Sequence, residues 1–273
     1  MADSVLHNVT PFPVTDVGGV PFQVSTLEDA CDWLLTSAIP RRNGLNVRLA
    51  NAYNVALASS DSDYKELLTE EGVNFPDGTP VVWFMRLGRG RQRARRVRGP
   101  SLFPLTLRES VSHGTRHFFL GGSPRTLSRL EAKVRSACPG ITIAGTYSPP
   151  FAAITEAYIF DCAERVRASG ADIVWIGLGT PKQDRLGAAL AREVPTVSVN
   201  VGAAFDFLAG TVREAPDWVQ RSGFEWLYRL ASEPTRLWRR YLVGNLQFLV
   251  AAVSGLKTHD QGAAEASRET RVS

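Results

Sequence analysis

Asp172-Ile173-Val174-Trp175-Ile176-Gly177-Leu178-Gly179-Thr180-Pro181-Lys182-Gln183 decides the fold. Asp172 to Leu178 is a short, mostly apolar run, the mark of a strand buried on both faces. It ends in the turn Gly179-Thr180-Pro181, where Pro181 is placed to start a helix that reads from Lys182 to Glu193. This is one strand–turn–helix unit of a parallel sheet.

Working outward, the unit recurs. Upstream, residues 116–120 form a strand that ends in Gly121-Gly122-Ser123, with a helix over 126–137. Residues 141–147 read as a strand and 155–169 as a helix. Downstream, 196–201 is a strand ending in Gly202. Nearer the N-terminus, strands are expected at 20–24, at 45–49 with Asn51 at its end, and at 73–75 running into Pro76-Asp77-Gly78. Helices are expected over 26–37, 53–71, 79–88 and 101–112. The alternation predicts an α/β fold, Rossmann-like, with a doubly wound and mostly parallel sheet. In such sheets the ligand sits beyond the carboxyl ends of the strands, so the strand-end residues are the ones to watch. After about Gly210, Trp218, Trp226 and Trp238 mix with arginines, which predicts a helical appendage at the C-terminal side. The expected organisation is a flexible lead at 1–13, an α/β core at 14–212, an Arg/Trp-rich helical appendage at 213–256 and a disordered tail at 257–273.

The chain has 273 residues, 44% of them hydrophobic, enough for a substantial core without disulfide staples. The net charge of +4 is too mild to imply nucleic acid by itself. Cys31, Cys138 and Cys162 are scattered without a C-x-x-C pair, which speaks for buried thiols in a reducing, cytoplasmic setting. Residues 1–13 lack the pattern of a signal peptide. No apolar run reaches the ~18–20 residues of a spanning helix. The longest, 241–256, is interrupted by Gly244, Asn245 and Gln247, so contact with a membrane would come from one side.

Several strand ends could carry chemistry. Asp77, pinned between Pro76 and Gly78, could act as general base, although the triplet alone reads first as a plain turn. Gly121, Gly122 and Ser123 could offer backbone N–H groups to a diphosphate, or be a tight βα connection. Pro181, Lys182 and Gln183 could meet phosphate or sugar hydroxyls; a capped turn with a solvated Lys182 is the alternative. Asp206 could hold a sugar hydroxyl or cap a helix. Asp61-Ser62-Asp63 resembles a nucleotide–metal triplet but falls inside a helical pattern, so it reads as solvated surface. His7, His113, His117 and His259 are too scattered to make a metal site, and no cofactor is implied. Arg86, Arg89, Arg91, Arg93, Arg95, Arg96 and Arg98 make a basic loop, most of it expected to be solvated. Arg236, Arg239 and Arg240 would share one helix face, suited either to a membrane interface or to a docked helix.

Taken in order, these segments resemble the WecG/TagA/CpsF glycosyltransferase family. The likeness runs from about Gly19 to Tyr241. It is carried by Asn51, Pro76-Asp77-Gly78, Arg96-Val97-Arg98-Gly99, Phe119-Leu120-Gly121-Gly122 and the stretches 177–183, 202–210 and 223–230, followed by Glu233-Pro234. It departs at Leu49, where members often carry Thr, and at Asp184, where Glu is usual. The resemblance implies an inverting, metal-independent transfer from a UDP-sugar to a polyprenyl-diphosphate-linked sugar, in cell-surface polysaccharide synthesis. The donors it allows are N-acetylmannosamine, its uronic acid, or glucose. Asp77 matches the proposed base, Arg96 an arginine near the leaving diphosphate, and Gln183 and Asp206 residues around the donor. The appendage, with Arg229, Arg236, Arg239 and Arg240, matches one thought to cover the active site and touch the membrane. The implied location is cytoplasmic, peripheral on the inner face of the plasma membrane, and a homo-oligomer is allowed. Two other classes stay open on residues alone. One is a nucleotide- or polyanion-binding regulator, although the basic loop lacks the aromatics that stack bases. The other is a dinucleotide-dependent oxidoreductase, although G-x-G-x-x-G is missing.

Overall fold

The computed structural model describes residues 10–87, 94–232 and 234–255. Arg89, Arg91, Arg93, most of the expected lead and the expected tail at 257–273 lie outside the described residues, as do the side chains of Arg236 and Arg240.

Val14–Val17 (β1) and Val20–Gln23 (β2) pair as an antiparallel hairpin across Gly18-Gly19, both at positive φ. Helix α1 (Leu27–Trp33) follows, started by a Thr26–Asp29 capping box. Six further strands make one parallel sheet: β3 (Leu45–Ala50), β4 (Val73–Pro76), β5 (Arg116–Gly121), β6 (Thr142–Tyr147), β7 (Ile173–Gly177) and β8 (Val197–Asn200). Their spatial order is β4-β3-β8-β7-β5-β6.

The connecting helices are α2 (Ala52–Ala58), α3 (Ser62–Glu70), α4 (Thr79–Arg86), α5 (Gly99–Glu109), α6 (Pro124–Ala137), α7 (Glu156–Ser169) and α8 (Lys182–Glu193). Period-two burial assigns them to layers. Ile173 and Trp175 join the cluster under α1, α5 and α6, whereas Val174 and Ile176 join the one under α7 and α8. Both faces are covered, as expected of a doubly wound sheet. Each such large side chain contributes on the order of 1.5–3 kcal/mol through burial.

One segment departs from expectation. Residues 53–71 form two helices, not one. Ser59 and Ser60 donate to the carbonyl of Ala56, and Asp61 accepts from the N–H of Tyr64. These local side-chain bonds compete with helix continuation and restart the chain at Asp61. The Asp61-Ser62-Asp63 triplet therefore begins a helix rather than sitting inside one, and Asp61 also pairs with Arg185.

After β8 come α9 (Ala204–Ala209), α10 (Asp217–Ser222), α11 (Glu225–Ser232) and α12 (Pro234–Trp238). A π-helical turn over Arg239–Val243 leads into a helix over 244–255. Phe248 and Ala252 of that last helix pack into the cluster of the β1–β2 hairpin, α2 and α4. Among the described residues, no helix is long and apolar enough to cross a membrane.

Candidate active site

β3 is followed by an outward step to β4, while its other neighbour, β8, is reached from β7 on the opposite side. The loops after β3 and β8 part there, which opens a crevice at the carboxyl ends of the strands. A cavity of about 310 Å³ occupies it. Asn51, Asp77, Arg96, Gln183, Asp206 and Arg229 all line it.

Local structure fixes each of these. Asn51 caps α2 by accepting from the N–H of Tyr53 at 2.9 Å, and Asn54 returns the contact at 3.0 Å. Asp77 sits one residue past β4, and its N–H donates to the Ala50 carbonyl at 2.9 Å. Gly78 beside it packs closely on Asn51, whose Cβ would lie 3.2 Å from an added Cβ. Gln183 accepts from the N–H of Gly179 at 3.0 Å. Asp206 accepts from the hydroxyls of Thr126 and Thr211 at 3.2 and 2.9 Å.

Arg96 and Arg98 come from an extended segment tied to the end of β4, where the Val97 N–H donates to the Pro76 carbonyl at 2.8 Å. Val97 points into the core, so its two neighbours emerge on the opposite, cavity side. Arg96 donates to Thr79 Oγ1 and to the Gln220 carbonyl, and pairs with Glu225 at 2.7 Å. Arg98, only 7% exposed, pairs with Glu225 at 2.8 Å and Glu214 at 2.5 Å. Most of this loop is expected to be solvated; alternation with buried Val97 is the signal that turns Arg98, along with Arg96, toward the cavity.

Electrostatics divide the carboxyl groups. Burial pushes the Asp77 carboxyl above its usual range, and Glu225 adds to the rise while Arg96, Arg98 and Arg229 oppose it. Burial acts on Glu225 in the same direction, but its hydrogen bond to Arg98 and the charges of Arg98 and Arg96 outweigh it and hold that carboxyl low. One cavity thus contains a carboxyl tuned toward proton acceptance and another held firmly ionised.

Other expected residues lie elsewhere. The Gly122 N–H donates to the Gly177 carbonyl at 3.2 Å, so it is not free for an anion. Gly121, at φ 115°, has no room for a Cβ, which would stand 2.7 Å from Gly177 O. Ser123 caps α6 through the Thr126 N–H. Gly121 and Gly122 thus hold β5 against β7, and none of the three residues lines the cavity. Pro181 is the residue from which α8 starts. Lys182 turns away, donating to the Ala152 carbonyl at 2.6 Å with its ammonium over the Tyr158 ring. Arg239 lies over the Trp238 ring, whereas Arg229, at the cavity, lies at 5.5 Å over Phe207.

A family model described as "Glycosyl transferase WecG/TagA/CpsF family" matches residues 15–261. The chain belongs to this family of glycosyltransferases. It is also 30% identical over 230 residues to the N-acetylglucosaminyldiphosphoundecaprenol N-acetyl-beta-D-mannosaminyltransferase of Bacillus subtilis (strain 168). The match covers 83% of this chain and 86% of that relative. The protein is therefore a transferase, and the regulator and oxidoreductase readings are set aside.

Sequence reasoning missed parts of this transferase's cavity. Tyr53, Asn200, Trp226, Tyr241 and Asn245 line it too. Asn200 ends β8 and was within reach of the strand-end rule. Trp226 and Tyr241 stand 6.1 Å apart, ring to ring, and only the return of the C-terminal segment brings them there. Among the described residues, no group of three or more His, Cys, Asp or Glu side chains is placed to hold a metal.

Proposed function

We propose that the transferase moves a sugar from a UDP-sugar to a sugar linked to polyprenyl diphosphate, with inversion and without a metal, in cell-surface polysaccharide synthesis. The observation that carries this reading is Asp77: a strand-end carboxyl, raised by burial, in one cavity with Arg96 and Arg229. Asp77 takes the proton of the acceptor hydroxyl as that oxygen attacks the anomeric carbon. The bond from that carbon to the UDP oxygen breaks on the opposite face, so an α-linked donor gives a β-linked product. Negative charge grows on the departing UDP, and Arg96 and Arg229 supply fixed positive charge for it. Asn51, Gln183 and Asp206 surround the donor, and N-acetylmannosamine, its uronic acid or glucose are the donors to try.

The lipid acceptor is supported by the name of the Bacillus subtilis relative, which specifies an undecaprenol diphosphate carrying N-acetylglucosamine. A lipid substrate calls for a lipid-facing surface. Trp218, Phe224, Trp238, Leu242, Leu246 and Leu249 are large apolar residues exposed on the C-terminal segment, a face suited to peripheral docking at the inner membrane leaflet.

The test is UDP release from a panel of UDP-sugars with a short-chain polyprenyl-diphosphate–N-acetylglucosamine acceptor, in EDTA, for the wild type and Asp77→Asn. Acceptor-dependent release that Asp77→Asn abolishes, with a product of inverted linkage, is expected. A strict need for Mg²⁺ or Mn²⁺, retained configuration, or full turnover by Asp77→Asn would each overturn its part of the reading.

A further inference from the structure

Arg98 has no part in the mechanism above, yet it is the most buried cation of the cavity wall. Both its carboxylate partners, Glu214 and Glu225, come from the segment that follows the α/β core. Glu225 contacts the two arginines in a particular way. One carboxylate oxygen lies 2.7 Å from Arg96 Nη2 and the other 2.8 Å from Arg98 Nη2. Two oxygens on one central atom, each held by a separate guanidinium group, is also how paired arginines hold a phosphoryl group.

The arrangement has a reason. Two guanidinium groups emerging side by side from the flanks of Val97 repel each other unless an anion stands between them. Glu225 is that anion here. It is carried by α11, which has no buried residue, so little core packing opposes a local shift that moves its carboxylate out from between the arginines and leaves Arg229 of the same helix at the cavity. A diphosphate brings more negative charge than one carboxylate and reaches the same N–H groups.

We propose that Arg96 and Arg98 together form the diphosphate subsite of the cavity, with Glu225 as a resident anion that the incoming nucleoside diphosphate displaces. This rests on the UDP-sugar reading and adds Arg98 to its binding residues. It also relocates the expected diphosphate contact from Gly121-Gly122-Ser123 to the end of β4. Glu225 would compete with the donor for the two arginines.

The alternative is that Glu225 merely positions the two arginines, and the sign of one substitution separates the two. Binding of UDP, inorganic pyrophosphate and uridine to the full chain would be measured by calorimetry for the wild type, Glu225→Gln, Arg98→Gln and Arg98→Lys. Glu225→Gln is expected to tighten UDP and pyrophosphate several-fold. Arg98→Gln is expected to weaken both by about tenfold, as loss of a charged hydrogen bond does. Uridine should respond to neither. Should Arg98→Gln fail to fold, Arg98→Lys keeps the charge without the fork and should still weaken pyrophosphate. Weaker or unchanged pyrophosphate binding by Glu225→Gln would overturn the subsite. Wild-type UDP binding that ignores every substitution would overturn it and leave the UDP-sugar reading standing. Binding of uridine, UDP and pyrophosphate too weak to detect in the wild type would remove both.

Discussion

The backbone N–H of Asp77 donates to the carbonyl of Ala50 at 2.9 Å, which ties the candidate base to the neighbouring strand one residue before Asn51. The backbone that carries the carboxyl is thus fixed to the sheet. Its folded-state pKa is raised by burial. A carboxyl raised in this way contributes stability that is complete below its unfolded value and lost as pH rises through the folded one. Ionised Asp77 is therefore a cost to the fold at neutral pH.

Asp77→Asn should accordingly separate function from stability. Turnover should fall by roughly 10²- to 10⁴-fold, the usual share of a general base. The melting temperature at pH 7 should rise by about 2 °C or more, as expected when a strained active-site charge is removed. Activity assays and thermal unfolding of the same preparation check both. A drop in melting temperature would mean that the carboxylate is a structural anion and not a tuned base.

Glu225 bears on the pH profile through the same group. Its charge raises the Asp77 carboxyl, while Arg96, Arg98 and Arg229 lower it. Removing the negative neighbour should lower the Asp77 pKa, so the acidic limb of kcat/KM should move to lower pH in Glu225→Gln. Arg96→Gln should move that limb upward, with weaker residual activity. A limb that stays fixed in both variants would show that another group controls it.

The strands and their glycine turns were legible because a parallel sheet demands short, uncharged runs, and α8 was read to the residue. What escaped was set by contacts distant in sequence. Arg98 meets Glu225 127 residues away, and no local period encodes that. Lys182 was given a phosphate role by its place after a glycine turn, but the Ala152 carbonyl and the Tyr158 ring, farther along the fold, take it instead. The β1 strand was missed because four residues before a Gly-Gly pair give too short a run to read.

Asp184 illustrates the buried polar layer between β3, β8 and α8. It accepts from Tyr64 Oη at 2.7 Å and from Asn54 and Asn200 at 3.4 Å. Asn54 in turn supports the Asn51 cap, and Asn200 lines the cavity. Tyr64→Phe removes one donor from this carboxylate and should cost about 1–3 kcal/mol of unfolding free energy in urea. Asp184→Ala should cost more and also raise KM for the donor, because two cavity residues lose their support. An unchanged KM would confine the network to stability.

His117 predicts an acid weakness of the fold. It has no exposed surface and sits between Trp175 and Ser110. The Trp175 indole N–H donates to Nδ1 at 3.0 Å, so Nε2 carries the ring proton and faces Ser110 Oγ at 2.8 Å. Burial pushes the imidazole down to about 3. A group lowered in the folded state contributes stability above its unfolded pKa and loses it as pH falls toward the folded value. The window here runs from about 6.5 down to about 3. At pH 5 the loss should be roughly 2 kcal/mol relative to neutral pH. Urea unfolding at pH 7 and pH 5 checks this, with His117→Gln expected to be weaker at pH 7 but flatter between the two. A wild type equally stable at both would show that the imidazole can be protonated in place.

The C-terminal helix makes the proposed docking at a lipid surface testable. Leu242, Leu246, Leu249, Val250 and Val253 follow a helical period and are all exposed, while Phe248 and Ala252 face the core. A helix held on one side and apolar on the other needs a second medium, and Arg239 beside Trp238 supplies a cation next to that face. Leu246→Ser with Leu249→Ser should reduce co-sedimentation with anionic phospholipid vesicles about tenfold or more, since each apolar side chain withdrawn from lipid forfeits on the order of a kcal/mol. UDP binding in solution should not change, because neither residue lines the cavity. Turnover should fall only with a long-chain acceptor in vesicles and not with a short soluble one. Vesicle binding that survives the double substitution, with a change in oligomeric state instead, would assign this face to contact between copies of the chain.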